Sequence, residues 1–499
     1  MTNPRRIALE ALLDITEAGA YANLRLKEAL TGLPQREARW VSAMVYTTLD
    51  HLLYIDYVLA HFAKGRTQPV IRGILRMGVA QLLYMEVPDS AACNESVNLC
   101  KKVGKNKLSG YVNGVLRAIC RNRENLPPLP DNSVDRLSIQ FSWPRWLVDE
   151  YVAQYGTEFT TALLDAKAPG MTLRAQYPHT TEELRAALQA ANIPFRPGGL
   201  VPEACVLEQG MDVARDGGFL AGHYTVQSES AMLVCKLLAP AKGMSLLDAC
   251  AAPGGKTAYL SHIMQGGGHI EAWELHPHRK ALIQKTLERL HVEGVQVQVR
   301  DATQLDPTKV QAFDAVLVDA PCSGLGVFGK PDARYAKSDE MIRSLATLQG
   351  KILDACANYV RPGGALVYAT CTISQRENEG QIRSFLAKHR EFQPGNMDAL
   401  PAALQRRAKD GMVQLFPHLD HTEGFFMASG QTQYYELNQW EAADQVLRTE
   451  FNADNQKIDG ALKAMRDLIV SPSVLNAVLD KLRSDINALS ARVDKLEGK

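Results

Sequence analysis

The spacing of apolar residues changes along the chain and predicts three kinds of region. Over residues 4–124 apolar side chains recur at helical intervals, as in the series from Val41 to Leu52, and prolines punctuate the runs. Residues 133–240 mix helical runs with short strand-like runs. Residues 244–430 alternate short buried strands with amphipathic helices, which is typical of a doubly wound parallel sheet.

The predicted strands of the third region are short apolar runs at 245–248, 269–273, 295–299, 315–318, 365–368 and 424–428. In the second region we predict helices at 146–155 and 182–191 and strands at 172–175 and 204–207. The carboxyl ends of parallel strands meet at one edge of a sheet, where α/β proteins bind their ligands. The residues that directly follow the strands are therefore the first candidates for a site.

A proline-rich stretch at residues 125–132 is the clearest boundary in the chain. We predict four regions: a helical domain at 1–126, a small α/β domain at 133–240, a Rossmann-like α/β core at 241–430 and a helical extension at 431–499. In the extension, apolar residues from Leu475 to Leu496 are three or four apart with charges between them, which predicts a short coiled-coil end.

Composition indicates a cytoplasmic protein without a membrane span. The 499 residues are 46% hydrophobic and 22% charged, and no run of 18 apolar residues occurs. Acidic residues interrupt the apolar run after Arg6, which rules against a signal peptide. The nine cysteines are odd in number and form no Cys-x-x-Cys pair, so we expect neither a disulfide framework nor a metal site.

The basic charge is concentrated near the N-terminus, although the whole chain has a net charge of zero. Residues 1–130 hold 17 Lys and Arg against 11 Asp and Glu, a net of +6. Seven basic residues and no acid lie between Lys101 and Arg123. This run is either a solvated helix face or a nucleic-acid contact surface.

The first strand of the third region leads into a glycine turn at residues 248–257, Asp-Ala-Cys-Ala-Ala-Pro-Gly-Gly-Lys-Thr. The turn precedes a predicted helix, so backbone N–H groups and a positive helix end face a ligand there. The pattern is neither Gly-x-Gly-x-x-Gly nor a P-loop, which argues against a dinucleotide and excludes a Walker nucleotide site.

Acidic residues end four successive strands at Asp248, Glu274, Asp301 and Asp319. Glu274 has the position of a ribose-binding acid, and Asp301 could accept from an adenine amino group. Each acid alone is more often a helix cap or turn residue. Together they favour a ligand with a ribose, an adenine and a cationic centre, such as S-adenosylmethionine.

Two cysteines follow the predicted strands 315–318 and 365–368. They are Cys322 in Asp-Ala-Pro-Cys-Ser-Gly and Cys371 in Tyr-Ala-Thr-Cys-Thr. A thiolate at the edge of the sheet is a nucleophile. The alternative is packing, the usual role of a free cysteine and the one we expect for Cys250 and Cys356.

These three motifs closely resemble the RNA cytosine-5 methyltransferase family, and within it the RsmB (Sun/Fmu) branch that acts on small-subunit ribosomal RNA. The helical segment with Gly-Tyr-Val-Asn-Gly-Val-Leu at 110–116 is similar to the NusB RNA-binding fold, and Glu-Gly-Phe-Phe-Met-Ala at 423–428 resembles the last strand of the family. The resemblance covers about residues 4–430.

The resemblance implies Cys371 as the nucleophile and Cys322 as the residue that helps release the product. It implies that S-adenosylmethionine contacts Cys250, Ala251, Ala252, Pro253, Gly254, Gly255, Lys256, Glu274, Asp301 and Asp319. Glu274 departs from the Asp of many relatives, and the stretch 326–332 is less basic than the family pattern.

The expected function is formation of 5-methylcytosine in 16S rRNA, with RNA as the partner. Two alternatives remain open: the same chemistry on tRNA or large-subunit rRNA, and a non-catalytic RNA-binding assembly factor. A pure binder needs neither thiol. Residues 433–499 resemble an N-terminal segment of phage tail-fibre proteins, and we expect this extension to leave the chemistry unchanged. The target nucleotide and the oligomeric state do not follow from the sequence.

Overall fold

The computed structural model describes residues 3–329, 331–335 and 337–432, together with the isolated positions 481 and 484. The described residues form two compact units, of which the first holds those within 3–169, 324–341 and 416–421 and the second those within 170–323, 342–415 and 422–432. In these described ranges, no helix has the length and apolar character needed to cross a membrane.

The N-terminal part of the first unit is entirely helical. Its helices are α1 (Pro4–Ala18), α2 (Ala22–Ala29), α3 (Gln35–Asp50), α4 (Leu52–Phe62), α5 (Pro69–Tyr84), α6 (Asp89–Lys102), α7 (Ser109–Arg121), α8 (Ser133–Phe141), α9 (Arg145–Tyr155) and α10 (Thr157–Leu164). Helix α5 is buried on nearly all sides, because α1, α3, α4, α6 and α7 pack around it. Two of its glycines, Gly73 and Gly78, lie against leucine side chains where a Cβ atom would clash. The predicted all-helical N-terminal domain is confirmed.

The second unit begins with a small antiparallel sheet of four strands in the order β2-β3-β1-β4. The strands are β1 (Thr172–Ala175), β2 (Phe195–Pro197), β3 (Cys205–Leu207) and β4 (Tyr224–Val226). Helix α11 (Thr181–Ala190) covers the sheet and begins with a capping box between Thr180 and Glu183, and α12 (Gly217–Leu220) follows β3.

The main sheet of the second unit has the order β10-β12-β9-β8-β5-β6-β7, and β11 pairs with β12 beside it. Its strands are β5 (Ser245–Asp248), β6 (His269–Glu274), β7 (Val295–Val299), β8 (Phe313–Asp319), β9 (Val360–Thr370), β10 (Phe392–Pro394), β11 (Met412–Leu415) and β12 (Phe425–Thr432). The later helices are α13 (Glu229–Leu237), α14 (Gly255–Ile263), α15 (Pro277–Arg289), α16 (Pro331–Tyr335), α17 (Asp339–Ala357), α18 (Glu379–Lys388), α19 (Ala402–Arg407) and α20 (Pro417–Asp420).

Both faces of this sheet are buried, which explains its continuous apolar strands. Leu246 and Leu317 point into one apolar cluster, whereas their neighbours Leu247 and Val316 point into the cluster on the opposite face. Strands β5 to β9 are mutually parallel. Their carboxyl ends therefore share one edge of the sheet.

The expectation of a purely parallel sheet is wrong at its far side. Strand β12, predicted at 424–428, runs antiparallel to β9 and also pairs antiparallel with β11 and β10. A connection of nine residues joins β11 to β12, too short for the crossover that a parallel neighbour needs. The sheet is thus mixed, and the Rossmann-like core otherwise agrees with the prediction.

Two segments from the C-terminal half belong to the first unit. Tyr335 donates its hydroxyl to the carbonyls of Leu49 (3.0 Å) and Ser142 (2.7 Å). The Phe416 ring lies 5.0 Å from that of Phe159. Helices α8 to α10 also pack within this unit, but a compact unit can hold more than one domain, so the four domain boundaries remain predictions.

Candidate active site

The structure brings the sequence-predicted site residues to one edge of the main sheet. The four acids and two cysteines all lie at or just beyond the carboxyl ends of parallel strands: Asp248 (β5), Glu274 (β6), Asp301 (β7), Asp319 and Cys322 (β8), and Cys371 (β9). Cross-strand pairing places these ends within about two residues of each other, since Asp319 lies opposite Ala369 and Asp248 opposite Ala272.

The glycine turn holds its shape through buried contacts. The Thr257 hydroxyl donates to Asp248 Oδ2 (2.6 Å), and burial raises the pKa of Asp248 to about 6. Gly254 has φ +100°, and a Cβ atom there would lie 3.3 Å from Ile283 Cα. The positive φ favours glycine here, and a Cβ atom would also be tightly packed against Ile283. Helix α14 starts at the next residue, so its first N–H groups lie at the edge of the sheet.

Two adjacent residues of the turn, Cys250 and Ala251, differ in their surroundings. Ala251 is buried and donates its N–H to the carbonyl of Trp273 (2.9 Å). Burial holds the pKa of Cys250 well above its ordinary value, and its side chain packs with an apolar cluster. The Cys250 side chain therefore has the character of a packing group, and what the turn offers a ligand is its backbone.

The acids after β6 and β7 have local partners that orient them. Glu274 is 4% exposed, accepts the N–H of His276 at Oε1 (3.1 Å) and has Arg279 3.4 Å from Oε2. Asp301 is exposed and accepts both the N–H and the hydroxyl of Thr303 at Oδ1. A cavity of about 300 Å³ adjoins Asp301 and is lined by Trp273, Arg300, Gln304, Leu305, Asp306 and Pro307.

An ion pair joins the glycine turn to β8. Lys256 Nζ lies 2.6 Å from Asp319 Oδ2. Burial lowers the pKa of Lys256, but the Asp319 carboxylate more than offsets this effect and raises it above the ordinary value. The lysine is therefore an ammonium that adds positive charge beside the cysteines.

The two candidate cysteines touch each other. Their Sγ atoms lie 3.3 Å apart. The hydrogen bond with Cys322 lowers the pKa of Cys371, with help from Lys256, although burial and Asp319 oppose the shift. In contrast, burial raises the pKa of Cys356 to about 12. The arrangement favours a thiolate on Cys371.

Sequence reasoning missed two residues behind the cysteine loops, Glu377 and Asn378. Glu377 and Asn378 are fully buried and hydrogen-bond to Ser323 and Thr372, which are neighbours of the two cysteines. The only signal in the sequence was an acid-amide pair a few residues after Cys371, in a stretch without a recognisable pattern. Across the described residues, no cluster of three or more His, Cys, Asp or Glu could hold a metal ion.

The basic run of the first unit lies at the surface of α6, α7 and the turn between them. Lys101, Lys102 and Lys107 are exposed and Lys105 is partly exposed. The structure describes no ion pair for these four lysines within residues 3–329, whereas Arg123 pairs with Asp89 (3.2 Å).

The mixed sheet, the glycine turn and the strand-end acids define a Rossmann-like methyltransferase that uses S-adenosylmethionine. Three family models match the chain: 16S rRNA methyltransferase RsmB/F over residues 235–430, the NusB family over 2–121, and the ferredoxin-like domain of RsmF/B-like methyltransferases over 143–214. The chain belongs to the RsmB/F family of small-subunit rRNA methyltransferases, and to its B branch by the similarities below.

Curated relatives match along almost their whole length. The probable ribosomal RNA small subunit methyltransferase B of Bacillus subtilis is 36% identical over 442 residues, which is 86% of this chain and 98% of the relative. The ribosomal RNA small subunit methyltransferase B of Xylella fastidiosa is 35% identical over 436 residues, 85% of this chain and 98% of the relative. A methyltransferase homologue from Pyrococcus horikoshii has a solved structure with TM-score 0.52 and 25% identity, covering 61% of this chain and all of its own.

The C-terminal extension stands apart from these matches. The three matched regions end by residue 430. The resemblance of 433–499 to a tail-fibre segment has no support in the comparisons. Residues 431 and 432, the first two of the predicted extension, belong to strand β12, and the rest of the predicted helical extension and coiled coil lies outside the described residues apart from the isolated positions 481 and 484.

Proposed function

We propose that the protein forms 5-methylcytosine in small-subunit (16S) rRNA, through a covalent bond between Cys371 Sγ and C6 of the target cytosine. The observation that carries the proposal is the contact between Cys322 and Cys371, at 3.3 Å, with a lowered pKa on Cys371. C5 of cytosine is a poor nucleophile. A thiolate poised at a ligand-binding edge is the group that can activate it.

The residues present fit S-adenosylmethionine. Gly254 has a positive φ that favours glycine and keeps the turn free of a side chain at this point, and the start of α14 offers N–H groups without an intrahelical partner. Carboxylates at Glu274 and Asp301 suit ribose hydroxyls and an adenine amino group. We assign cofactor contacts to Cys250, Ala251, Ala252, Pro253, Gly254, Gly255, Lys256, Glu274, Asp301 and Asp319. When bound, this cofactor supplies an electrophilic methyl group on a sulfonium.

The side chains of the site then have distinct tasks. The Cys371 thiolate attacks C6, which forms the S–C6 bond and moves the electron pair of the C5–C6 double bond onto C5. C5 can now take the methyl group. A base then takes the C5 proton, and the C5–H electron pair restores the double bond as the S–C6 bond breaks and its electrons return to Cys371. Cys322 assists this release, and Asp319, held by Lys256, can accept a hydrogen bond from the base edge. A paired target base must leave its stack to reach the thiol.

The choice of RNA rests on the relatives and on the first unit. The curated relatives named above are small-subunit rRNA methyltransferases, and residues 2–121 match the NusB family. Their similarity spans nearly the whole relative, which favours rRNA over tRNA or large-subunit rRNA. A non-catalytic assembly factor has no need for a thiol with a lowered pKa at the edge of a cofactor-binding sheet.

Nucleoside mass spectrometry of 16S rRNA from cells with and without the gene tests this function. One 5-methylcytosine should disappear without the gene and return with the wild-type gene on a plasmid. An unchanged 16S rRNA, with a 5-methylcytosine lost from tRNA or 23S rRNA instead, would contradict the assigned substrate. No loss in any RNA would contradict the chemistry.

A further inference from the structure

We infer that the adjacent pair Glu377 and Asn378 forms a clamp that sets the distance between the two thiols. Glu377 holds the loop of Cys322, and Asn378 holds the loop of Cys371. Both are positioning residues, since the hydrogen bonds described for them go to the residues beside the thiols. The inference rests on the proposed function for its role in catalysis, but the geometry itself can be tested without it.

Glu377 is hydrogen-bonded to the Cys322 loop. Every hydrogen bond described for its carboxylate comes from that loop or from Gln349, which lies behind it. Its side chain is fully buried. It accepts the Ser323 N–H (2.8 Å) and the Ser323 hydroxyl (2.5 Å), and the Gln349 side-chain amide also donates to it (3.1 Å). The same amide donates to the Pro321 carbonyl (2.9 Å). Both neighbours of Cys322 are thus tied to one carboxylate, directly or through Gln349.

Asn378 does the same for the Cys371 loop. It is fully buried, and its Nδ2 donates to the Thr372 carbonyl (3.0 Å). Its Oδ1 accepts the hydroxyl of Thr370 (2.6 Å). These two threonines flank Cys371. Nδ2 also donates to Gln414 (2.8 Å), which fixes the amide orientation.

One further hydrogen bond closes the clamp. The Ser323 hydroxyl lies 2.8 Å from the Thr372 hydroxyl, so the two loops are joined to each other as well as to the acid-amide pair. A buried carboxylate is costly unless it is fully hydrogen-bonded, and here two of the three described donors belong to Ser323 in the loop that it positions. Simple stabilisation of the fold would need no such concentration of contacts on the residues beside the two thiols.

Oxidation by diamide measures the thiol–thiol distance independently of methyl transfer. Diamide takes two electrons and two protons from Cys322 and Cys371, forms the S–S bond and is itself reduced to the hydrazine. Peptide mapping distinguishes this disulfide from one between Cys93 and Cys120, whose Sγ atoms lie 3.8 Å apart in the first unit. The wild-type chain should form the Cys322–Cys371 disulfide readily.

The test compares Glu377→Ala and Glu377→Gln with Glu379→Gln as the matched control. Glu379 is a neighbouring acid with no described contact to either cysteine loop. We expect Glu377→Ala to slow formation of the disulfide at least tenfold and to lower kcat for methyl transfer at least tenfold. S-adenosylmethionine affinity and KM for RNA should stay within about twofold. Glu377→Gln, which keeps one acceptor oxygen, should recover most of the rate, and Glu379→Gln should match the wild type.

Disulfide formation and kcat at wild-type values in a folded Glu377→Ala chain would overturn the clamp. If that variant fails to fold, Ser323→Ala replaces it, because it removes the bridge between the loops and leaves the Glu377 bond to the backbone N–H. It should slow the disulfide at least threefold, and an unchanged rate would again overturn the inference. A slowed disulfide in a protein whose wild type makes no 5-methylcytosine would support the clamp and reject only the proposed function.

Discussion

Lys256 Nζ lies 2.6 Å from Asp319 Oδ2 and joins the helix after the glycine turn to the end of the strand that precedes Cys322. The pair fixes the spacing between the proposed cofactor loop and the first cysteine loop. It also places an ammonium group near Cys371, where it helps to lower the pKa of that thiol.

Lys256→Met should therefore destabilise the fold, because it leaves the Asp319 carboxylate partly buried without its cation. A charge-assisted hydrogen bond contributes roughly 1.5–3 kcal/mol, and we expect a loss in that range. Urea unfolding without cofactor measures it. Lys242→Met removes an exposed lysine and is the control. Equal urea midpoints for Lys256→Met and Lys242→Met would mean that the Lys256–Asp319 contact contributes nothing to the free energy of unfolding.

Glu274→Ala should weaken S-adenosylmethionine binding about tenfold or more, since a charged acceptor for ribose hydroxyls contributes on the order of 1.5–3 kcal/mol. Calorimetry gives the affinity directly. Glu293→Ala, at an exposed position, should bind normally. Normal affinity in Glu274→Ala would remove this residue from the cofactor site.

The reactivity of Cys371 should persist to lower pH than that of an ordinary thiol. Its pKa is lowered first by the hydrogen bond with Cys322, so the thiolate is present above that pKa and is lost as the pH falls through it. Cys322→Ala should move the midpoint of iodoacetamide alkylation at Cys371 to higher pH. Cys322→Ser retains a donor and should move it less. A midpoint that does not change in Cys322→Ala would show that the neighbouring thiol does not set the pKa.

The exposed lysines of the first unit should contribute to RNA binding. Neutralising Lys101, Lys102, Lys105 and Lys107 should reduce the salt dependence of RNA affinity by about one unit of log–log slope for each lysine that contacts a phosphate. S-adenosylmethionine affinity should not change. If the variant with all four lysines neutralised has the same slope of RNA affinity against salt concentration as the wild type, the basic run from Lys101 to Arg123 is a solvated helix face.

Sequence alone predicted the parts of the site that depend on local pattern. Strands Ser245–Asp248 and Val295–Val299 have the predicted bounds, because a short apolar run ended by an acid and an alternating Val-Gln pattern are both strong local signals of a strand. The acids and cysteines at strand ends could be placed at one edge because parallel strands share their direction.

Contacts between distant segments could not be predicted in this way. The hydrogen bond between Ser323 and Thr372 joins residues 49 positions apart, and nothing in either loop indicates its partner. The same holds for Glu377, whose burial depends on the fold of both loops. The antiparallel direction of β12 was missed since an apolar run does not encode strand direction.

The covalent mechanism makes opposite predictions for the two cysteines. Cys371→Ala removes the attacking thiolate, so no bond to C6 can form and turnover should stop. Cys322→Ala leaves attack and methyl transfer available but impairs release, so methylated RNA should remain bound to Cys371. The double variant should form no adduct, because attack precedes release.

Denaturing gel electrophoresis of each variant after incubation with 16S rRNA and S-adenosylmethionine is the most direct measurement. We predict a protein–RNA adduct that survives denaturation in Cys322→Ala and is absent from Cys371→Ala and from the double variant. An adduct in Cys371→Ala that is absent from Cys322→Ala would reverse the two roles, and full activity in both single variants would contradict the covalent mechanism.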